Sequence, residues 1–453
     1  MTVDNPAPRP KRALSKERAA LLTGCAATLV LTMTACGGGS AGTTAKDGFA
    51  QVPQKDGTLT VWVDATRVAA AKLYQQQHPN VKMDIVTYDG DANGSNYLQT
   101  KVQLFNRTKK GWPDVVFSSQ NNEVTWAVDA GFAAPLNKGL ISAARLTGFA
   151  RGANDVCTVK STVYCLRNDL SQAVLWYNAP LLKRFGYTVP TTWEEYQRLG
   201  EKVAEEHPGY LVGDAGDAFT PEIYLWASKC GANHITGPKA VSVNTSSDAC
   251  TKMARLMDVL IKNKSMSTSG VFSTDFGKNK AAKVLLMPGP AWYGGAVFKG
   301  TFKTPAKTIA AAPIPQWKGE TSRSTGNVGG GTWLLSQHSA HIKAATGFLK
   351  WVTTDNTYQG EKAPGFPAYA PAAEAWLKGQ DAAGYFAGDL GALKAASSQV
   401  WPDWGSGQFS QEAIWAATVK PGITQGKSIV SLLPAWQDSI VKYAKSNGYK
   451  VSQ

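Results

Sequence analysis

Thr58-Leu-Thr-Val-Trp-Val63 alternates in polarity and is rich in β-branched residues, which reads as a strand. Arg67–His78 then carries Val68, Leu73 and alanines at helical spacing, closed by Pro79. The pattern repeats with a strand over 81–88, a helix over 97–105, the short buried strand Pro113-Asp-Val-Val-Phe117 and a helix near 123–130. Strands alternating with helices predict parallel βαβ units, an α/β fold with helices on both faces of the sheet. In such sheets ligands collect at the carboxyl ends of strands. The residues standing there are Asp64, Thr66 and Arg67, then Asp89, then Ser118 to Asn121.

Toward the N-terminus the character changes. Residues 1–18 are polar and basic, and Ala19 to Met33 is almost uniformly apolar or small. A basic region followed by about fifteen such residues reads as a secretory signal, too short to span a bilayer stably. Thr34-Ala35-Cys36-Gly37-Gly38-Gly39-Ser40 resembles the bacterial lipobox, with Met33 where that motif usually has Leu. The resemblance implies that 1–35 is a lipoprotein signal peptide and that Cys36 carries the lipid. Leu22-Thr23-Gly24-Cys25 offers a second lipobox, but its apolar run after Arg18 is shorter than the roughly seven residues a signal needs. Residues 36–56 are Gly/Ser/Thr-rich without an apolar period and read as a flexible tether.

The composition bounds the rest. With 453 residues, 43% hydrophobic and 18% charged, the chain has material for two to four domains and is no disordered protein. Fifteen tryptophans are many for a chain that binds nothing. The formal charge of +14 falls to +11 without the first 35 residues and forms no Lys/Arg block, so it argues for solubility and not for nucleic acid. Four cysteines remain beyond the signal, and outside the cytoplasm an even number suggests disulfides. Pairing Cys157 with Cys165 and Cys230 with Cys250 is favoured among the three connectivities because both close short loops. No C-x-x-C and no adjacent His calls for zinc, and neither a metal nor a cofactor is expected.

Several longer stretches form a recognisable series. Gly57-Thr-Leu-Thr-Val-Trp-Val-Asp64, the spacing to Trp112-Pro-Asp-Val-Val-Phe117, and Ala130-Gly-Phe-Ala-Ala-Pro-Leu136 resemble the sugar-binding lipoproteins of ABC importers, the family of maltose-binding-protein-like receptors. Val174-Leu-Trp-Tyr-Asn178, Phe185-Gly-Tyr187 and Val189-Pro-Thr-Thr-Trp-Glu-Glu195 are similar to that family's most characteristic segment. Met287-Pro-Gly-Pro-Ala-Trp292, Ala312-Pro-Ile-Pro315 and Gly329-Gly-Gly-Thr-Trp333 follow in the family's order. The resemblance implies a two-lobe periplasmic-binding-protein type II fold with a hinge crossed three times. Lobe one would be 57–167 with 326–370, and lobe two 168–325 with 371–453. Strand-like 309–312 and 332–335, the helical run 341–353, the bend Pro364-Gly-Phe-Pro367 and an amphipathic helical region over 415–445 agree with such interleaving.

Sugars offer C–H faces to flat aromatics and hydroxyl edges to Asp, Asn, Arg and Gln. The strand-end rule and the resemblance together nominate Asp64, Arg67, Asp89, Gln120, Asn121, Asp217, Phe219, Trp292, Tyr293, Gly331, Tyr369 and Trp404 as ligand-binding residues. The family often has Tyr where Phe219 stands, which puts a polar role there in doubt. Each has a plainer alternative. Asp64 and Arg67 can simply pair with each other, and any Trp can be core, Trp176, Trp193 and Trp351 first among them. Gly329-Gly-Gly331 suggests close backbone approach at the hinge or ligand more than a phosphate nest. Asp89-Gly-Asp91-Ala-Asn93-Gly94 opens like a calcium loop, but its twelfth position is Thr100, and a tight turn capping the next helix explains it as well.

Catalysis has little support. The five histidines form no metalloprotease pattern, and His338 and His341 read as an exposed helix start. The rival readings are a secreted glycoside hydrolase, with Asp64 and Asp217 as its carboxylates, and a receptor for another solute such as a polyamine or peptide. Polyamine pockets need clustered acids, whereas these candidates mix Arg, Asn and indole. The sequence therefore predicts a monomeric, lipid-anchored receptor on the outer face of a bacterial cytoplasmic membrane. It would hand a di- or oligosaccharide, maltodextrin-like as the first expectation, to a permease driven by a separate ATPase.

Overall fold

The computed structural model describes residues 45–453. The signal peptide, the lipidation site Cys36 and the first part of the tether lie outside the described residues. After a short antiparallel pair, Ala45–Lys46 with Phe49–Ala50, the main elements in chain order are β1 (Leu59–Val63), α1 (Val68–Gln77), β2 (Met83–Thr87), α2 (Tyr97–Thr108), β3 (Val115–Ser118) and α3 (Asn122–Asp129). Then come β4 (Cys165–Arg167), β5 (Ala173–Asn178), α4 (Ala179–Phe185), α5 (Trp193–Glu206), α6 (Thr220–Ile223) and α7 (Asp248–Lys262). The chain continues with β6 (Leu286–Pro290), β7 (Ile309–Ala312), β8 (Thr332–Leu335), α8 (Ile342–Thr354), α9 (Ala370–Ala383), α10 (Gln411–Thr418) and α11 (Ile429–Ser446).

Two sheets organise two lobes. The first has strand order β2-β1-β3-β8-β4. Strands β1, β2 and β3 are parallel, as the βαβ reading requires, while β8 returns antiparallel to both β3 and β4. The second sheet, β6-β5-β7, is antiparallel throughout, because its strands arrive from three distant segments and not from βαβ crossovers. The apolar core of lobe one gathers Leu59, Val61 and Val63 with Phe117, Trp333 and Phe348. That of lobe two gathers Trp176, Trp193, Tyr224, Met257, Trp415 and Trp436. Trp176, Trp193 and Trp351 are all buried. The helical region 415–445 is split: α10 stops at Thr418, a short helix Lys420–Thr424 with Pro421 in its first turn follows, and α11 begins after the Ser428 cap.

Three connections join the lobes. The first runs from β4 to β5, where Asp169-Leu170 pairs with Phe366-Pro367 of the third. The second runs over Thr325–Gly331. Its Gly326 carbonyl accepts from Ala173 N at 2.9 Å, and Thr325 Oγ1 donates to Ala173 O at 2.6 Å. Gly326 allows no side chain, since a Cβ there would stand 1.8 Å from the Glu222 carbonyl oxygen. In Gly329-Gly-Gly331 all three residues have positive φ, and a Cβ on Gly331 would meet the Phe117 ring at 2.3 Å.

The motif over 174–195 turns out to be local chain chemistry. Asn178 Oδ1 accepts from Leu181 N at 3.1 Å to cap α4, and Gly186, at φ +69°, ends it. Thr192 and Glu195 form a reciprocal capping box at the start of α5. Disulfides join Cys157 to Cys165 and Cys230 to Cys250. The described part of 36–56 does not run free as a tether. Phe49 is buried in the lobe-one core, and Gln54 bonds Ser339 O at 3.0 Å and Ile342 N at 2.9 Å. Composition conceals these two anchors, because one Phe and one Gln suffice to dock an otherwise polar strip.

Asp91 belongs to its helix. Its carboxylate accepts from Ser95 Oγ at 2.8 Å and from the backbone of Tyr97 and Leu98, which caps α2. Among the described residues no cluster of three or more His, Cys, Asp or Glu could hold a metal ion. His338 and His341 are half-buried, not exposed: His338 stacks on Trp112 at 4.0 Å, and His341 Nδ1 sits 3.2 Å from Asp114 Oδ1. Among the described residues no helix is long and apolar enough to cross a membrane.

Candidate functional site

A narrow cavity lies between the lobes. Lobe one supplies Ser119–Asn122, which stand at the carboxyl end of β3 where it joins α3. Ser118 Oγ accepts from Gln120 N at 3.1 Å and shapes that joint. The hinge supplies Gly329. Asn121 is held on both sides of its amide. Arg167 donates to its Oδ1 at 2.6 Å, and its Nδ2 donates to Gly329 O at 3.4 Å. Arg167 is buried without a carboxylate on its side-chain nitrogens, and burial lowers its pKa from 12.5 to about 10 against the pull of Asp169.

Lobe two supplies a wall of a different kind. Trp226 and Trp404 stack with centroids 5.3 Å apart and planes 10° off parallel. Trp226 Nε1 donates to Trp401 O at 2.8 Å, which fixes one indole to the loop that carries the other. Around them lie polar atoms that the protein leaves unmet. Gln411 is 5% exposed and Asn233 3%. Both side-chain atoms of the Gln411 amide, Asn233 Oδ1 and Glu222 Oε2 are buried with no protein partner. Such atoms cost roughly 1–3 kcal/mol each when left dry. All three residues line the cavity, together with Glu412. Burial first, then the charge of Glu412, pushes the Glu222 carboxyl well above its ordinary pKa.

The other nominated residues gather elsewhere. Asp64 Oδ2 pairs with Arg67 at 3.0 Å, and Arg67 also reaches Asp169 at 3.5 Å while lying 4.2 Å over the Phe117 ring. Trp292 follows β6, and its Nε1 donates at 3.0 Å to the hinge carbonyl of Val328, one residue before Gly329. Phe219 and Tyr293 meet that indole edge-on at 5.8 and 4.8 Å, and the exposed Phe272 stacks on it at 6.0 Å. Asp217 Oδ2 accepts from Val271 N at 3.0 Å, and neighbouring Asp214 is pushed well up by burial and by Asp217. Asp89 is exposed and accepts from Asp91 N at 3.0 Å. Tyr369 packs on Phe149 at 5.4 Å within lobe one. Of the nominated set, the cavity itself therefore contains Gln120, Asn121 and Trp404. Sequence reasoning missed Glu222, Trp226, Asn233, Gln411 and Glu412. Only the spacing of Glu222 and Trp226, four apart after the Asp217–Phe219 pair, offered a local signal.

Two lobes, a triple hinge and a polar interlobe cavity match a known protein family. The model of the bacterial extracellular solute-binding proteins matches residues 57–359. The chain belongs to this family. Its members are solute binders and not enzymes, so the hydrolase reading falls away. This solute-binding protein is 24% identical, over 410 residues, to the lactose-binding protein of Rhizobium radiobacter, a match covering 84% of this chain and 92% of that one. Its fold is similar to an ABC-transporter-associated binding protein of B. animalis subsp. lactis, solved with β-1,6-galactobiose. There the TM-score is 0.73 at 19% identity, covering 87% of this chain and 99% of that one. The GacH receptor of Streptomyces glaucescens, solved unliganded and with acarbose, superposes with a TM-score of 0.65 at 19% identity, covering 88% and 100%.

Proposed function

We propose that this solute-binding protein is the receptor of an ABC carbohydrate importer and that it closes on a di- or oligosaccharide in the interlobe cavity. The observation that carries this reading is the set of buried, unpartnered polar atoms on Gln411, Asn233 and Glu222 beside the stacked Trp226–Trp404 pair. Folding leaves such atoms dry at a cost, and a ligand rich in hydroxyls meets each of them while its C–H groups pack against indole. The sugar ligands of the similar proteins support the same class. Those named ligands include galactosides as well as acarbose, so β-galactosides stand beside the maltodextrins expected first.

Ligand bridging the lobes stabilises the closed form, and a permease reads that form while a separate ATPase supplies the energy. In this reading the molecule is monomeric and held outside the cytoplasmic membrane by lipid on Cys36. Lobe one comprises 57–167 with 326–370, and lobe two 168–325 with 371–453. Metabolic labelling with a radioactive fatty acid tests the anchor: wild type takes up label and Cys36→Ser does not. Calorimetry with lactose, galactobiose, maltose and longer maltodextrins tests the ligand class. One-to-one binding near micromolar, about −8 kcal/mol, is expected for at least one of them. Binding of peptides with silence toward every sugar contradicts the reading.

A further inference from the structure

We infer that the saccharide carries a protonated amine, received by Glu222 at the lobe-two wall of the cavity. This rests on the sugar-binding reading above and narrows it. The acidic side chains lining the cavity are Glu222 and Glu412, and among the described residues lining it there is no Lys, Arg or His. Nearby cations are engaged elsewhere. Arg167 holds Asn121 and the Gly329 carbonyl, and Lys239 Nζ donates to Asn447 O at 3.1 Å. Glu222 Oε2 is buried with no partner. Burial and Glu412 disfavour a charge on Glu222, so beside a neutral hydroxyl it stays a carboxylic acid, whereas an ammonium supplies both a hydrogen bond and the compensating charge that lets it ionise. The adjacent indole pair favours a cation over an anion.

The other unmet atoms show that amine alone is not enough. Asn233 Oδ1 and Gln411 Oε1 need donors, which an ammonium can supply. Gln411 Nε2 is a donor without an acceptor, and an ammonium has no lone pair to offer it. A polyamine therefore leaves Gln411 unsatisfied. A molecule with hydroxyl or acetal oxygens beside one ammonium group satisfies all three residues at once. That description is an amino sugar within a disaccharide or longer chain.

Calorimetry on the full chain in detergent decides the matter. The titrants are the β-1,4-linked glucosamine disaccharide, its N-acetylated counterpart, 6-amino-6-deoxy derivatives of lactose and maltose, their neutral parents, and spermidine. At least one amino disaccharide should bind about tenfold or more tighter than its uncharged partner. In Glu222→Gln that preference should shrink to within about threefold, read as the ratio of amino to neutral sugar affinities in the same variant. The wild-type comparison stands alone should the variant fail to fold. If every neutral sugar binds as well as its amino derivative, the amine is refuted and the sugar receptor survives. If spermidine outbinds every saccharide, or no saccharide binds, both readings fail.

Discussion

Glu123 shows what burial does to one carboxyl. It lies in the first turn of α3, fully buried, with Gln99 donating to its Oε1 at 3.0 Å and nothing on Oε2. The helix N-terminus and Gln99 favour the charged form, but burial and the charge of Asp91 prevail and raise its pKa to about 8. The unfolded chain releases this proton near pH 4.5 and the folded chain holds it to about 8, so stability is full below 4.5 and falls as pH rises through that window. Glu123→Gln should leave the thermal midpoint unchanged near pH 5 and raise it by a few degrees at pH 9, as thermal unfolding will show. A midpoint lowered equally at both pH values would mean that the carboxyl is needed as a charge. Single residues were legible where the rule was local. Gln120 and Asn121 follow a strand end, and Trp404 sits in a motif. Gln411 and Asn233 reach the cavity from positions far apart in the chain, and no spacing announces them.

At the scale of elements, the helices and strands over 59–108 could be read to within three residues. Pro79 and the alternating strand residues each act within a few positions. The antiparallel return of β8 between β3 and β4 was not readable, since its partners lie more than a hundred residues away. Thr192→Ala removes the cap on Glu195 N and should cost about 1 kcal/mol by denaturant unfolding without altering ligand affinity. The disulfide between Cys230 and Cys250 ties the start of α7 to the chain that leads to Asn233. Replacing both cysteines by serine should cost about 2–4 kcal/mol. It should also weaken ligand binding, because Asn233 sits three residues beyond Cys230 and lines the cavity. Unchanged affinity would show that this wall is set by other contacts.

At the scale of the molecule, the lobes also touch beside the cavity. Asp129, at the end of α3, accepts from Gln408 Nε2 at 2.6 Å and lies 3.7 Å from Lys239 Nζ. Gly94, at φ +72°, leaves no room for a side chain: a Cβ would stand 2.6 Å from Ser410 Oγ and 2.9 Å from Ala413 Cβ. Gly94→Ala should therefore hold the lobes apart and weaken ligand binding several-fold, and the positive φ should lower the apo thermal midpoint as well. Equal affinity in wild type and variant would separate this contact from closure. The two-lobe plan was legible through the order of motifs along the chain, whereas the position of the cavity was not. It depends on how α10 and the loop after Trp404 fold back against β3. The most direct test of the central claim is titration calorimetry of the full chain with neutral and amino disaccharides, followed by chromatography of the recovered ligand. The account predicts one-to-one binding of an intact saccharide, lost by at least about tenfold in Gln411→Ala. Binding that survives Gln411→Ala unchanged, or no saccharide binding at all, would contradict it.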